Sequence, residues 1–292
     1  MKRFAPIIII GMHRSGTSMI ARMLEELGLF LGVRKDRHNE ALLFIKLNNW
    51  LMEQNSCSWD NPRDFSTFFD NDIVHNLTVG YLRNILQSRY MVSYLGKRLL
   101  HQRGPTMQLH LPWGWKDPRT TFTLPVWREI FPGARVIHVH RNGVDVANSL
   151  KTRHEKILER SKRKWAEGRY RPRYRFWKEL TLRGVGDSIR CSSLEGSFSL
   201  WEEYISEARR HVAAMADDGL EVCYEEFLAD PLPRLQAMAD FCRLPPVGNA
   251  KLVAMTAKVN KERANAFRNT SELVAFAESV AGRLAAQGYP YP

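Results

Sequence analysis

The first strongly patterned segment is Pro6-Ile-Ile-Ile-Ile-Gly-Met12, a β-branched run bounded by turn residues. Such a run reads as a short strand of a parallel sheet covered on both faces, where polar and apolar positions no longer alternate. Over 17–27 the period becomes helical. Met19, Ile20, Met23, Leu24 and Leu27 form one apolar stripe, Glu25 and Glu26 face outward, and Gly28 offers a left-handed stop. Further strands are expected at 108–115, 134–140 and 220–224, and helical spacing marks 40–53, 200–216 and 232–242. Strands alternating with helices build a mostly parallel sheet through right-handed crossovers, so the expected fold class is three-layer α/β. No internal repeat and no Gly/Ser linker divides the chain. It reads as a single domain over 1–292, with a basic insertion or lid at about 151–195.

Composition narrows this picture. The 292 residues are 44% hydrophobic and 25% charged, which excludes global disorder. No apolar run reaches about 18 residues, so no membrane-spanning helix is expected. Met1-Lys2-Arg3 followed by isoleucines imitates a secretion signal, but the apolar run stops at Met12 before His13 and Arg14. Cys57, Cys191, Cys223 and Cys242 lie too far apart for a C-x-x-C pair, which fits neither a zinc site nor a disulfide framework and points to a cytoplasmic protein. Net charge is +12, and 151–183 alone holds thirteen Lys/Arg against four Glu. Such a chain attracts something anionic: nucleic acid, a membrane surface or a phosphorylated ligand.

The loop after the first strand favours the last of these. Gly11-Met-His-Arg-Ser-Gly16-Thr17-Ser18 has the spacing of the phosphate-binding pattern G-x-x-x-x-G-K-[ST], with Thr17 in place of lysine. Glycines let backbone N–H groups turn inward, and the following helix adds its positive end. The lysine that bridges the β- and γ-phosphates of a nucleoside triphosphate is lost, while Arg14 offers a cation from the apex. The strand at 134–140 ends in histidine rather than a magnesium-binding acid, and then delivers Arg141, with Ser149 about two helical turns on. Guanidinium and hydroxyl could grip one phosphate from two sides.

Together these motifs resemble the sulfotransferases that use 3′-phosphoadenosine 5′-phosphosulfate (PAPS). The resemblance extends to Trp113-Gly-Trp-Lys116-Asp117-Pro118-Arg119, to Phe131-Pro-Gly-Ala-Arg-Val-Ile-His-Val-His-Arg141, and to Val222-Cys-Tyr224-Glu225-Glu226-Phe-Leu-Ala-Asp230-Pro231. Arg14 is similar to the loop of the carbohydrate, tyrosyl-protein and bacterial branches. The resemblance implies sulfuryl transfer from PAPS to a hydroxyl, with 3′-phosphoadenosine 5′-phosphate (PAP) as product and no metal. By the same resemblance Arg14 contacts the bridging oxygen, and Ser15, Gly16, Thr17 and Ser18 bind the 5′-phosphate. Arg141 and Ser149 then bind the 3′-phosphate. Tyr224 lies near adenine or is a core tyrosine ending a strand. Lys116 is a second cation on the sulfuryl group or an ordinary surface lysine.

Glu40, at the start of an expected helix, is the first choice of general base, with helix capping or substrate contact as its other readings. Asp117 and His38 stand in reserve. His13 reads as a packing residue or one that supports the loop from behind, and His138 and His140 as histidines bonded to backbone rather than to metal. Arg263 and Arg268, with Lys258 and Lys261, either close over the 3′-phosphate, as a basic C-terminal loop does in the family, or form a solvated basic face. The tract Lys162-Arg-Lys-Trp-Ala-Glu-Gly-Arg-Tyr-Arg-Pro-Arg-Tyr-Arg-Phe-Trp177 suits a lid touching the acceptor or an anionic membrane surface, ahead of nucleic acid. Glycan, glycolipid and small alcohol or phenol all fit as acceptor. The rival readings are a phosphate-loop kinase or NTPase and, from another class, a nucleic-acid-binding module built on 151–183. Steep salt dependence of binding would mark the latter.

Overall fold

The isoleucine run forms β1 (Ile7–Ile10), with all four side chains buried. The structure, a computed structural model, describes residues 4–101, 109–169, 173–174, 180–181 and 185–290. Among these, four parallel strands make one sheet in the order β2 (Gly114–Lys116), β1, β3 (Arg135–His140), β4 (Gly219–Cys223). On one face Ile7, Ile9, Ile137, Val139 and Val222 pack with Ile20, Ala21 and Leu24 of α1 (Thr17–Glu26). On the other, Ile8 stands beside Trp115, which stacks on Phe44 of α2 (Leu42–Glu53). Trp115 also meets Trp127. The α3 helix (Asp72–Leu86), which the sequence reading did not anticipate, is capped by Asn71 accepting from the Val74 N–H. Trp127 belongs to α4 (Thr120–Ile130). Helices thus cover both faces, the expected three-layer α/β arrangement. Each buried indole removes on the order of 150–250 Å² from water, which makes this side firm backing for whatever α4 carries.

Several boundaries move for local reasons. The α1 helix stops as expected: Gly28 takes φ 112°, its N–H bonds Glu25 O, and the Leu29 N–H bonds Leu24 O. The strand expected at 108–115 contracts to Gly114–Lys116. Residue 108 lies outside the described residues, Leu109 makes an isolated bridge to Phe4, and Pro112 has no N–H to extend a ladder. The helix expected from residue 40 begins at Leu42, leaving Glu40 in a tight loop. There the Asp36 N–H bonds Glu40 O, and Asp36 Oδ1 accepts from the N–H groups of His38 and Glu40.

The chain divides into two compact units, 1–141 with 203–266 and 142–202 with 267–292. The second contains α5 (Gly143–Ala166), N-capped by Asn142, and the first residues of α6 (Leu194–Ala213). Its core includes Phe198 edge-on to Phe276 and Trp201 against Tyr289, with Arg283 paired to Glu195 and Glu202. Residues 151–166, assigned from sequence to the start of an insertion or lid, continue α5. Most of the basic aromatic tract beyond residue 169 lies outside the described residues, apart from a two-residue pairing of Arg173–Tyr174 with Leu180–Thr181. In the first unit β4 ends at Cys223, and Tyr224 opens α7 (Tyr224–Ala229) instead of closing a strand; α8 (Pro231–Phe241) follows. Among the described residues no helix is long and apolar enough to cross a membrane.

Candidate active site

Two glycines set the shape of the loop between β1 and α1. Gly11 has φ 125°, and a Cβ there would stand 2.1 Å from Val139 O; its own N–H reaches Thr121 Oγ1 on α4 at 3.3 Å. Gly16 has φ 93°, and its Cβ would lie 2.4 Å from the Tyr224 ring. No other residue fits either position without moving backbone or an aromatic side chain. Between them the exposed Arg14 also takes a left-handed φ of 74°, a conformation costing a non-glycine residue roughly 1–2 kcal/mol. Ser15 is fully buried, and its hydroxyl has no hydrogen-bond partner among the described residues. The first-turn amides of α1 have no partner within the helix, so the loop is a cradle of donors.

Beside this cradle lies a buried charge cluster. Lys116, one strand over and in register with Ile9, is 1% exposed, which excludes the surface-lysine reading. Its Nζ donates to Glu40 Oε1 at 2.7 Å and to Ser18 Oγ at 3.3 Å, so one ammonium joins carboxylate and loop. Glu40 is 4% exposed and sits ahead of α2 with its carboxylate on Lys116 and Arg119, not on the helix amides; the capping reading falls with that geometry. Arg119 is the residue to which the sequence reading gave no role. Its guanidinium bridges Asp117 Oδ1 at 2.7 Å and Glu40 Oε2 at 3.3 Å, while its N–H also bonds Asp117 Oδ1. The signal was available in Asp117-Pro118-Arg119: an Asp whose side chain accepts from the amide two residues on marks a turn into a helix and aims residue 119. Burial, then the charge of Asp117, pushes the Glu40 carboxyl above the ordinary carboxylate range, against the pull of Lys116 and Arg119. His38 is half-buried beside Arg37, and burial lowers its pKa. Chemically, the cluster can hold a carboxylate at raised basicity next to a fixed cation.

A second group surrounds Tyr224. Its ring lies against Gly16 and carries the Arg141 guanidinium 4.9 Å from its centroid, while Arg141 donates to Arg263 O at 2.6 Å. The contribution of Arg263 shown here is its carbonyl; its side chain is exposed. Ser149 sits two turns into α5, and Arg268 is exposed 5.9 Å from the Phe267 ring; both belong to the second unit. His13 packs edge-on against Trp59 at 5.1 Å, the packing role expected. His138 and His140, expected from sequence to bond backbone rather than metal, also meet a side chain. Their rings face the Glu221 carboxylate on β4 at 3.1 and 3.7 Å, because register sets that strand beside them.

One turn along α4 from Arg119, Phe122 and Pro125 join Phe65 and Phe69 in lining a groove of about 610 Å³. Its rim charges pair with one another, Arg63 with Glu203 and Arg210 with Glu207. Aromatic walls with neutralised rims suit an apolar ligand body.

A profile of the Sulfotransferase family matches residues 6–247. No curated protein matches the chain. Among solved structures, a sulfotransferase domain from the curacin biosynthetic pathway covers 100% of both chains at 13% identity with a TM-score of 0.52. A sulfotransferase of Alicyclobacillus acidocaldarius covers 99% of this chain and 97% of its own at 14% identity and TM-score 0.46. One from Mycobacterium avium covers 97% and 76% at 13% and 0.48. At such identities the likeness of the curacin-pathway domain speaks for the fold alone.

Proposed function

The chain belongs to the sulfotransferase family, and from that premise we propose that it moves a sulfuryl group from PAPS to an acceptor hydroxyl, with Glu40 as general base. One observation carries the reading: a single buried ammonium, Lys116, touches both the buried Glu40 carboxylate and Ser18 at the head of the loop helix.

The residues present fit the donor. Ser15 offers a buried hydroxyl without a partner, and the Gly11 and Gly16 backbone is bare where any Cβ would collide. Bound there, PAPS supplies an activated sulfuryl group on a phosphate leaving group. Ser15, Gly16, Thr17 and Ser18 hold its 5′-phosphate, with Arg14 as the cation at the loop apex. Arg141, stacked on Tyr224, takes the 3′-phosphate with Tyr224 toward adenine, an assignment supported by their position against Gly16. Ser149 joins them on sequence spacing, and Arg263 and Arg268 on the family resemblance. Glu40 accepts the acceptor's proton at a carboxylate oxygen. Lys116, released from that oxygen by the proton's arrival, is left to face the developing negative charge. Asp117 supports this base through Arg119, and His38 stays the reserve candidate.

The aromatic groove near Arg119 supports an acceptor with an apolar body, such as a phenol, an alcohol or a lipid-linked sugar. Four free thiols support a reducing cytoplasmic setting, and the basic aromatic tract supports contact with a membrane's inner face. Incubation with PAPS labelled in its sulfate and panels of phenols, alcohols and glycolipids tests the reaction. A labelled product with stoichiometric PAP is expected. Labelled transfer from ATP instead, with none from PAPS, would refute it.

A further inference from the structure

Asn48 lies inside α2, on the stripe otherwise made by Phe44, Leu47 and Leu51, and is fully buried. A buried amide must find partners for its oxygen and both N–H groups, and this one does. Nδ2 donates to Asp117 Oδ2 at 2.8 Å and to Thr120 Oγ1 at 2.8 Å. Oδ1 accepts from Thr123 Oγ1 at 2.8 Å and from Trp127 Nε1 at 2.7 Å. The indole N–H of Trp127, which can only donate, fixes which way the amide faces. The amide therefore presents a donor to Asp117 Oδ2.

From there the bonds run in one direction. With Oδ2 held by Asn48, Asp117 offers Oδ1 to the Arg119 N–H and guanidinium, and the same guanidinium nitrogen reaches Glu40 Oε2. We propose that Asn48 is a positioning residue for the Glu40 carboxylate. Through Asp117 and Arg119 it pins Oε2, and so leaves Oε1, now on Lys116, as the oxygen that turns to the acceptor hydroxyl. The proposal rests on the reading of Glu40 as base, and the test separates the two.

The test follows the Glu40 carboxyl carbon by ¹³C NMR in glutamate-labelled protein, identified by difference from Glu40→Gln, without donor or acceptor. In Asn48→Leu, Asp117 Oδ2 is no longer held, its carboxylate swings away from Glu40, and Arg119 is left to Glu40. The Glu40 midpoint falls by about one pH unit, roughly the effect of losing a neighbouring like charge. Thr123→Val removes a bond to Asn48 but not the route to Glu40. It lowers the melting temperature and leaves the midpoint unchanged. In turnover with the best acceptor of the panel, Asn48→Leu loses about tenfold or more in kcat while PAP affinity holds.

If Asn48→Leu does not fold, the exchange Asn48→Asp with Asp117→Asn keeps an amide–carboxylate pair but moves its charge away from Arg119. Asp117→Asn alone is the reference. A purely structural Asn48 predicts no recovery of turnover in the double variant over that single variant. Positioning predicts recovery, because the carboxylate introduced at position 48 again holds the amide introduced at position 117 and leaves its oxygen to Arg119. A Glu40 midpoint unmoved or raised in the folded variants overturns the proposal. Full turnover in Glu40→Gln would instead sink the base reading, whatever the midpoint shows.

Discussion

Arg141 shows how a residue's neighbours define what it can bind. It is largely buried, stacked on Tyr224 and tied to the Arg263 carbonyl, so its guanidinium is held rather than searching. Arg141→Ala is expected to weaken PAP binding ten- to a hundredfold, about 1.5–3 kcal/mol, and AMP binding far less, as read by calorimetric titration. Equal weakening of both ligands would assign Arg141 to the shared 5′-phosphate or to structure. At this scale the loop was legible in advance, because Gly11, Arg14 and Gly16 act through backbone conformation and spacing, which sequence states directly. Lys116 was ambiguous because burial is a property of register. Only the pairing of β2 with β1 puts it under the loop rather than in water. Glu40 was placed on a helix, whereas it is the loop before α2 that aims it at Lys116.

Among the elements, β3 and β4 carry a pH dependence of their own. Burial holds the His140 imidazole at about 3, with the neighbouring His138 adding to the effect, and burial likewise lowers His138. Burial would raise Glu221, but its hydrogen bond to His138 and the charges of both histidines and Arg209 outweigh this and lower it. A folded-state pKa below the unfolded value contributes stability above the unfolded value and loses it as pH falls. The His140 contribution is therefore complete above about 6.5 and is lost between there and about 3. His140→Gln, which has no proton to gain, is expected to flatten the fall of melting temperature over that window. An unchanged slope would show that the imidazole titrates alike folded and unfolded. The strands themselves were legible to within two residues at 134–140 and 220–224, since β-branched runs between turn residues have few alternatives. The Glu221 contact was not, because cross-strand partners depend on which strands become neighbours.

Over the whole molecule the sheet order, the loop and the family profile agree, and the profile spans 6–247. The alternation of strand and helix, visible in one dimension, sufficed for the three-layer arrangement. The aromatic groove was not legible, because apolar contacts such as those of Phe65, Phe69 and Phe122 come from segments distant in sequence. The charge of the basic tract permits one expectation without its conformation. Residues 170–184 hold five Lys/Arg against one Glu. Their deletion should leave PAP affinity unchanged and reduce sedimentation with anionic vesicles, at roughly 1 kcal/mol per basic residue near the surface. Loss of PAP binding in a cooperatively melting deletion would place the tract on the donor instead. The most direct test of the central claim, a buried carboxylate base beside a PAPS-binding loop, is kcat against pH for wild type and Glu40→Gln, with PAP affinity measured in parallel. The wild type should show an acid limb above the ordinary carboxylate range, because burial raises the Glu40 pKa. Glu40→Gln should lose that limb and roughly 10²–10⁴-fold in kcat while binding PAP as before. A variant that keeps the wild-type rate and the same acid limb would contradict it.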